Sequence, residues 1–284
     1  MTSDLGRPLK HALATTLRLL FLILMVLFTL VPFVWMLSAS VKSGGDILQG
    51  GFALLPQQGW ALIENYGRVL ADVPILRYML NGVLVCGGIL VLQLLVAIPC
   101  AYALAKLPFR GRGILFGAVL LGLMVPVQVT ALPLYVLSYM LGLTNTYWAL
   151  VLPFIASAFG IFLFRQFFVM IPDTVLEAAR LDGLSEFEIV WRIAAPAARP
   201  AIIAFSIFSV IAHWNDLFWP LIVITNQDLA TPPLGILFFR NQEAGEDFGA
   251  LMAAAVIITA PLVLIFLATQ RRFVEGIALS TLKN

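Results

Sequence analysis

The sequence predicts an all-α integral membrane protein with six transmembrane helices and a polar helix-turn-helix segment between the fourth and fifth of them. Hydrophobic residues make up 61% of the 284 residues and charged residues only 11%, whereas apolar residues are roughly half of a soluble domain. Six stretches are long and apolar enough for a helix to cross ~30 Å of hydrocarbon. Many of the few charged residues gather within residues 171–196.

The first predicted span, residues 19–37, contains no charged residue. Basic residues precede it, so a cleaved signal peptide is the alternative, but the apolar core of a signal peptide is typically only ~7–15 residues. The 52 uncharged residues from Gly113 to Phe164 are too many for one crossing, and the turn signal at Gly142 and Asn145 divides them. The remaining predicted spans are residues 79–105, 114–136, 147–164, 201–225 and 251–270.

Lysine and arginine are unevenly divided between the two sides of this arrangement. Thirteen of the 17 lie on the side of the termini and the charged segment, and four lie on the other side. The positive-inside rule therefore predicts that both termini and the charged segment are cytoplasmic. We expect residues 40–77 and residues 226–249 to face outward. Residues 40–77 are interpreted as a structured loop with a short helix. The net charge of +2 gives no indication of a nucleic-acid partner.

The charged segment carries the signals of two short helices around a glycine turn. Asp173 is expected to be the N-cap of the first helix, and Gly183 is placed to end that helix in the left-handed conformation. Ser185 and Glu188 have the spacing of a capping box, which predicts the start of the second helix. Pro196 marks where the second helix gives way to the fifth span.

The first of these two helices has the composition of a docking surface. Glu177 and Arg180 are expected at neighbouring surface positions. Ala178 and Ala179 add little bulk, so the backbone of another protein could approach closely and pair with the carboxylate. The alternative is an amphipathic helix resting on lipid headgroups. The acidic character of the segment argues against that alternative, because anionic lipid would repel it.

The motif of the charged segment fixes residue types, spacing and topology together, and it consists of Glu177, Ala178, Ala179, Asp182, Gly183 and Pro196. It resembles the EAA loop of bacterial ABC importer permeases. The run from Trp214 to Pro220 is similar to that of carbohydrate-uptake permeases of the maltose and glycerol-3-phosphate type. The likeness extends from about residue 78 to the C-terminus. Residues 78–270 are therefore expected to be the permease domain, with residues 1–77 as an N-terminal segment, first span and outer loop, and residues 271–284 as a cytoplasmic tail.

The resemblance implies a permease subunit that moves a sugar, a polyol or a sugar phosphate across the bacterial inner membrane by alternating access. It also implies a second homologous permease, two ATPase subunits at the cytoplasmic face and a solute-binding protein outside. The residues that couple to the ATPase would be the motif residues together with Arg180. ATP and Mg would be bound by the ATPase subunits, so this chain would bind no cofactor or metal and would not be an enzyme. In agreement, none of its four lysines sits in a phosphate-binding loop of the G-x-x-x-x-G-K-[ST] type.

Polar residues inside the predicted spans are candidates for the substrate pathway. An ionisable residue at membrane depth is a functional hypothesis by default, which draws attention to the fifth span. The candidates there and in the other spans are Asn81, Gln93, Gln128, Thr130, Ser157, His213, Asn215 and Asp216. The alternative is that these side chains hold helices together through hydrogen bonds, and the residues alone leave both possibilities open.

Three other classes of protein are alternatives. An ABC permease for amino acids or peptides would share the coupling loop, and the run from Trp214 to Pro220 is the feature that favours sugars. A proton-driven carrier would need buried acids, yet Asp216 is the only acid in a predicted span and no inverted repeat is visible. An intramembrane enzyme would need a cluster such as paired histidine and acid on facing helices, and the chain contains two histidines.

Overall fold

The computed structural model describes residues 6–49, 53–242 and 247–281, and every regular element within these ranges is helical. The predicted all-α fold is confirmed. The helices are α1 (Gly6–Ala39), α2 (Gly44–Gln49), α3 (Leu62–Asp72), α4 (Ile75–Lys106), α5 (Arg112–Met124), α6 (Val127–Met140), α7 (Tyr147–Val151), α8 (Ala158–Val169), α9 (Asp173–Leu181), α10 (Glu186–Ile189), α11 (Ala195–Ala197), α12 (Arg199–Trp214), α13 (Phe218–Val223), α14 (Pro232–Gln242) and α15 (Phe248–Thr281). The structure also contains two short 3₁₀ turns, Leu152–Phe154 and Gln227–Leu229, and one π-helical segment, Val190–Ala194.

Three helices of the described chain are long and apolar enough to cross a membrane by themselves. They are Ala14–Ala39 within α1, the whole of α4, and Phe248–Ala268 within α15. Three further pairs of helices reach that length only together, and each pair is bent: α5 with α6 by 103°, Tyr147–Phe154 with α8 by 42°, and Glu186–Ala197 with α12 by 81°. The predicted number of six spans is reached when each bent pair counts as one span.

The third span, predicted as one helix over residues 114–136, is broken in the structure. Helix α5 ends at Met124, Val125 is extended with ψ of 117°, and α6 begins after Pro126. A proline disfavours the helical conformation of the residue before it, and Pro126 itself has no N–H to donate to the helix. The prediction of a continuous helix was wrong because it gave the apolar length of the stretch more weight than the effect of Pro126 on the backbone.

The fourth and fifth spans are also interrupted. In the fourth, the chain leaves the helix after Phe154 and restarts at Ala158, where the Ser157 side chain accepts a hydrogen bond from the Gly160 amide at 3.1 Å. The fifth was predicted over residues 201–225, but α12 ends at Trp214. The continuous-helix prediction was wrong there as well, because polar side chains cap the backbone groups at the breaks.

The structure divides into two compact units, Pro74–Phe238 with Ile258–Asn284 and Met1–Val73 with Phe239–Ile257. In the larger unit α4 packs against α8 and α12, and α5 packs against α8. Small buried residues repeat along α4 at Ala97, Ala101 and Ala105. A Cβ at Gly160 of α8 would lie 2.9 Å from the ring of Phe205. Small side chains thus permit the close helix packing that replaces a hydrophobic driving force inside a membrane.

The smaller unit contains the segment predicted to be a structured outer loop. Helices α2 and α3 lie in this segment. The Asn65 side chain of α3 donates hydrogen bonds to the carbonyl oxygens of Ser40 and Lys42, each at 2.9 Å. Arg68 forms an ion pair with Asp247. The segment that follows α1 is therefore held by specific polar contacts.

We predict that Gly235→Ala destabilises the protein. Gly235 lies in α14, and a Cβ added there would overlap the ring of Tyr78, which is buried. Overpacking of this kind typically costs ~1–3 kcal/mol. The apparent melting temperature of the detergent-solubilised protein should fall.

Gly87→Ala in α4 is the matched control, because no atom lies within 4 Å of a Cβ built at that position. This variant should be unchanged or slightly more stable, since alanine is favoured over glycine inside a helix by ~0.5–1 kcal/mol. Equal melting temperatures for the two variants would show that the close packing of α14 on α4 is not present in solution.

Candidate functional site

The polar segment folds as the predicted pair of short helices, α9 and α10, around a glycine turn. Gly183 has a φ of +85°, as predicted. Its amide donates to the carbonyl of Arg180 at 3.0 Å, and the amide of Leu184 donates to the carbonyl of Ala179 at 3.1 Å. These two bonds form a Schellman motif, in which a left-handed residue satisfies the last carbonyls of a helix. The turn therefore fixes the direction in which the chain leaves α9.

The start of α10 is the predicted capping box. The Ser185 hydroxyl accepts from the Glu188 amide at 3.3 Å, and the Glu188 carboxylate accepts from the Ser185 amide at 3.1 Å. The Ser185 N–H group lowers the pKa of Glu188, because this hydrogen bond favours the charged carboxylate. The box starts α10 directly after the glycine turn, so the two helices are held in a compact hairpin.

Asp173 is not the N-cap of α9, and this prediction was wrong. Pro172 occupies the N-cap position, and Asp173 is the first residue of the helix. Its carboxylate instead binds the ammonium of Lys106 at 2.7 Å, and this hydrogen bond lowers the pKa of Asp173. The same ammonium donates to the carbonyl of Ile171 at 2.6 Å. Lys106 ends α4, so these contacts link the start of the polar segment to the second span.

A second polar link joins the segment to α4. The guanidinium of Arg180 binds Glu186 at 2.7 Å, and the hydroxyl of Tyr102 donates to the other carboxylate oxygen of Glu186 at 2.8 Å. The hydrogen bond from Arg180 lowers the pKa of Glu186, and it also raises the pKa of Arg180. The charge of Arg180, predicted to face a partner protein, is thus paired within the segment.

The segment has one buried and one exposed face. Leu176, Ala179 and Ile189 are buried in the core formed with α4 and α8. Ala179 is only 4% exposed, so the prediction that it lies on the docking surface was wrong. With buried residues at positions 176 and 179, the helical repeat places position 181 on the opposite face.

The exposed face is more apolar than the sequence reasoning assumed. It carries Glu177, Ala178 and Asp182 together with Leu181, which is 89% exposed, and Phe187, which is 69% exposed. The sequence-based prediction missed Leu181 and Phe187 because it rested on the charged and small residues of the segment. The helical spacing of the buried residues was the signal that could have found Leu181.

Pro196 lies where the segment joins the fifth span. It follows the π-helical segment Val190–Ala194, in which the Ala195 amide bonds to the carbonyl of Val190. Since Pro196 has no N–H and its ring crowds the preceding turn, a locally widened helix accommodates it. The chain then bends by 81° into α12.

The Asn81 side chain is buried and hydrogen-bonded within the protein, and its role in a substrate pathway stays a prediction. This side chain is 1% exposed. Its amide nitrogen donates to the carbonyl oxygens of Asp228 and Ala230, at 3.0 and 2.9 Å, and its oxygen accepts from the Tyr147 hydroxyl at 2.6 Å. All of its polar groups are therefore occupied in holding the segment after α13 against α4 and α7.

A buried polar cluster surrounds Gln93 on α4. Its nitrogen donates to the carbonyl of Phe154 at 2.9 Å, and its oxygen accepts from the hydroxyl of Ser209 at 2.6 Å. The His213 ring lies 3.4 Å from the Gln93 nitrogen and packs on the ring of Phe154 at 4.8 Å. Gln93 and Ser209 are buried. The cluster satisfies a carbonyl that the break in the fourth span leaves free, which is a structural role.

The other pathway candidates are dispersed. Asp216 accepts a hydrogen bond from the Trp219 amide, in the first turn of α13, at 3.3 Å. The Asn215 side chain donates to the carbonyl of Ile211 at 2.8 Å. Gln128 and Thr130 lie on α6, where Gln128 is exposed and Thr130 binds its own helix. A role of these residues in a substrate pathway stays a prediction. Among the described residues, no three histidine, cysteine or acidic side chains are grouped so as to hold a metal ion.

Comparison with known proteins gives consistent matches. The family described as "Binding-protein-dependent transport system inner membrane component" matches residues 93–278. The chain is 34% identical over 265 residues to the "Diacetylchitobiose uptake system permease protein NgcG" of Streptomyces coelicolor, with 92% of this chain and 87% of that protein covered. It is 31% identical over 254 residues to the "Arabinooligosaccharides transport system permease protein AraQ" of Halalkalibacterium halodurans, with 89% and 91% covered.

The fold is shared with a chain of a solved transporter. The two chains superpose with a TM-score of 0.81 and are 23% identical, with 96% of this chain and 99% of the other covered. That structure is a bacterial ABC transporter involved in the import of the acidic polysaccharide alginate. The two chains therefore share one helical fold.

We predict that Gly183→Ala loosens the turn between α9 and α10. A Cβ in the left-handed conformation costs ~1–2 kcal/mol. The amides of Gly183 and Leu184 should then exchange with deuterium about 5 to 30 times faster. Gly117→Ala in α5 is the control, because no atom lies within 4 Å of its added Cβ and its φ is ordinary. Unchanged protection in Gly183→Ala would contradict the Schellman geometry.

Proposed function

This chain belongs to the family of binding-protein-dependent transport system inner membrane components, and on that basis we propose that it is the permease subunit of an ATP-driven importer for a sugar, a polyol or a sugar phosphate. The observation that supports the cargo class is the identity of above 30%, over about nine-tenths of the chain, to permeases whose names specify diacetylchitobiose and arabinooligosaccharides. Neither of these two names specifies an amino acid or a peptide.

The proposal includes a division of labour between subunits. A second, homologous permease completes the translocation path, two ATPase subunits bind ATP and Mg, and an extracytoplasmic solute-binding protein delivers the cargo. The distribution of lysine and arginine supports an orientation with both termini and the α9–α10 segment in the bacterial cytoplasm. In that orientation the segment meets the ATPases and residues 40–77 and 226–249 face the binding protein.

The exposed face of α9 suits contact with the ATPases. Glu177 offers a carboxylate with no ion-pair partner among the described residues. Ala178 beside it is exposed and small, so a partner can approach the carboxylate closely. Leu181 and Phe187 add apolar area that is removed from water on docking. The face thus combines one charge for orientation with two apolar side chains for affinity.

The polar links convert force on α9 into movement of the spans. Lys106 binds Asp173 and Ile171, and Tyr102 binds Glu186, so both short helices are attached to α4. At the other end, the π-helical segment continues into α12. A displacement of the segment by ATPase closure is therefore passed to the second and fifth spans together, which is what a change from inward-open to outward-open requires.

We predict that Glu177→Arg abolishes coupling. Placing like charges in an interface built for opposite ones costs several kcal/mol, so copurification of the ATPase subunits and uptake into vesicles should each fall at least tenfold. Asp72→Arg is the matched control, since it reverses an exposed acid that the proposed orientation places on the outer side. ATPase association should be unchanged in that variant.

Wild-type ATPase association and uptake in the Glu177→Arg variant would contradict the assignment of α9 as the coupling helix.

The cargo class has a separate test. Vesicles that contain the complete transporter should accumulate sugars, sugar phosphates or polyols when the cognate binding protein and ATP are supplied. Accumulation of amino acids or peptides instead would overturn the cargo class while leaving the coupling assignment intact.

A further inference from the structure

Two arginines beside the polar segment have no carboxylate partner among the described residues. Arg112 and Arg165 line a cavity of about 750 Å³ with Lys106, Arg180 and Glu177. Within the part of the chain that the structure describes, Lys106 pairs with Asp173 and Arg180 pairs with Glu186, whereas no ion pair involves Arg112 or Arg165. Four cationic and three acidic side chains line the cavity, so its wall carries a net positive charge.

The two guanidinium groups are held in place by the protein but keep free donors. Arg112 donates one hydrogen bond to the carbonyl of Ala105 at 2.8 Å, and Arg165 donates one to the carbonyl of Leu104 at 3.2 Å. The guanidinium of Arg165 also lies 3.8 Å above the centre of the Phe116 ring. A guanidinium has five N–H donors. Most donors of both groups therefore remain available to an anion.

A second cavity, which is apolar, lies along the same three helices, α4, α5 and α8. It has a volume of about 440 Å³, and its lining includes Leu115, Val119, Ile161 and Cys100. Leu115 and Val119 lie three and seven residues after Arg112 on α5, and Ile161 lies four residues before Arg165 on α8. Residues at these spacings share one face of a helix. Each arginine thus stands about one helical turn from the apolar lining.

We propose that the groove among α4, α5 and α8 binds one anionic phospholipid, with its phosphate at Arg112 and Arg165 and an acyl chain in the apolar cavity. Guanidinium groups bind phosphate oxygens in a bidentate manner. Basic pockets between transmembrane helices on the cytoplasmic side suit anionic headgroups. An inorganic anion would account for the arginines but not for the apolar cavity beside them, so the combination favours a lipid.

The position of the groove gives the lipid a structural consequence. Its phosphodiester carries one negative charge, which offsets part of the charge of two neighbouring cations at the ends of the third and fourth spans. These cations lie next to the Lys106–Asp173 ion pair that holds α9. The inference requires that the chain spans a membrane, and it does not depend on the cargo or on coupling by Glu177. Failure of the transport proposal would therefore leave it standing.

The test is lipid binding by the purified full-length protein. Native mass spectrometry of the delipidated protein, titrated with phosphatidylglycerol and separately with phosphatidylcholine, should show one tight site for the anionic lipid only. In the double variant Arg112→Gln/Arg165→Gln the affinity for phosphatidylglycerol should fall about 30-fold, which is the usual contribution of two basic residues near a membrane surface. Arg110→Gln, which removes an exposed arginine next to the groove, should bind as the wild type does.

Two further measurements separate the lipid from other ligands. Ala118→Phe, which fills the apolar cavity without changing charge, should also weaken phosphatidylglycerol binding at least fivefold, whereas millimolar inorganic phosphate should not displace the lipid. Displacement by phosphate, or unchanged lipid affinity in both the double variant and Ala118→Phe, would overturn the proposal. Loss of ATPase association with unchanged lipid binding would assign the arginines to the partner protein instead.

Discussion

The attachment of the polar segment to the end of α4 is the interaction on which the rest of the structure depends. A short helix such as α9, nine residues long, is not stable by itself. It is held because Lys106 binds Asp173 and the carbonyl of Ile171, and because Tyr102 shares Glu186 with Arg180. Helix α4 in turn packs against α8 and α12. A partner that moves α9 therefore moves a helix at the centre of the larger unit.

The interrupted spans show how the chain satisfies the backbone groups at its bends within a membrane. Backbone groups freed at a break need partners, because lipid offers none. Gln93 binds the carbonyl of Phe154, Ser157 binds the first turn of α8, and Asp216 binds the first turn of α13. Several side chains first considered as cargo contacts thus serve the backbone. That any of them also contacts a solute stays a prediction.

Local features were predictable from the sequence and distant ones were not. The capping box of Ser185 and Glu188 and the left-handed Gly183 depend on residues within a few positions, so their patterns were sufficient. The role of Asp173 depends on Lys106, which is 67 residues away, and no local pattern reveals that pair. Apolar length predicted the spans, but it could not predict the 103° bend before α6, because hydropathy carries no information on backbone direction.

The most direct test of the account is the accessibility of the exposed face of α9. In a background with Cys86→Ser and Cys100→Ser, which removes both natural cysteines, Ala178→Cys should react with a membrane-impermeant maleimide in inside-out vesicles and not in right-side-out vesicles. Bound ATPase subunits should protect the cysteine. Labelling in right-side-out vesicles, or labelling that ATPase subunits do not reduce, would contradict a cytoplasmic docking site on α9.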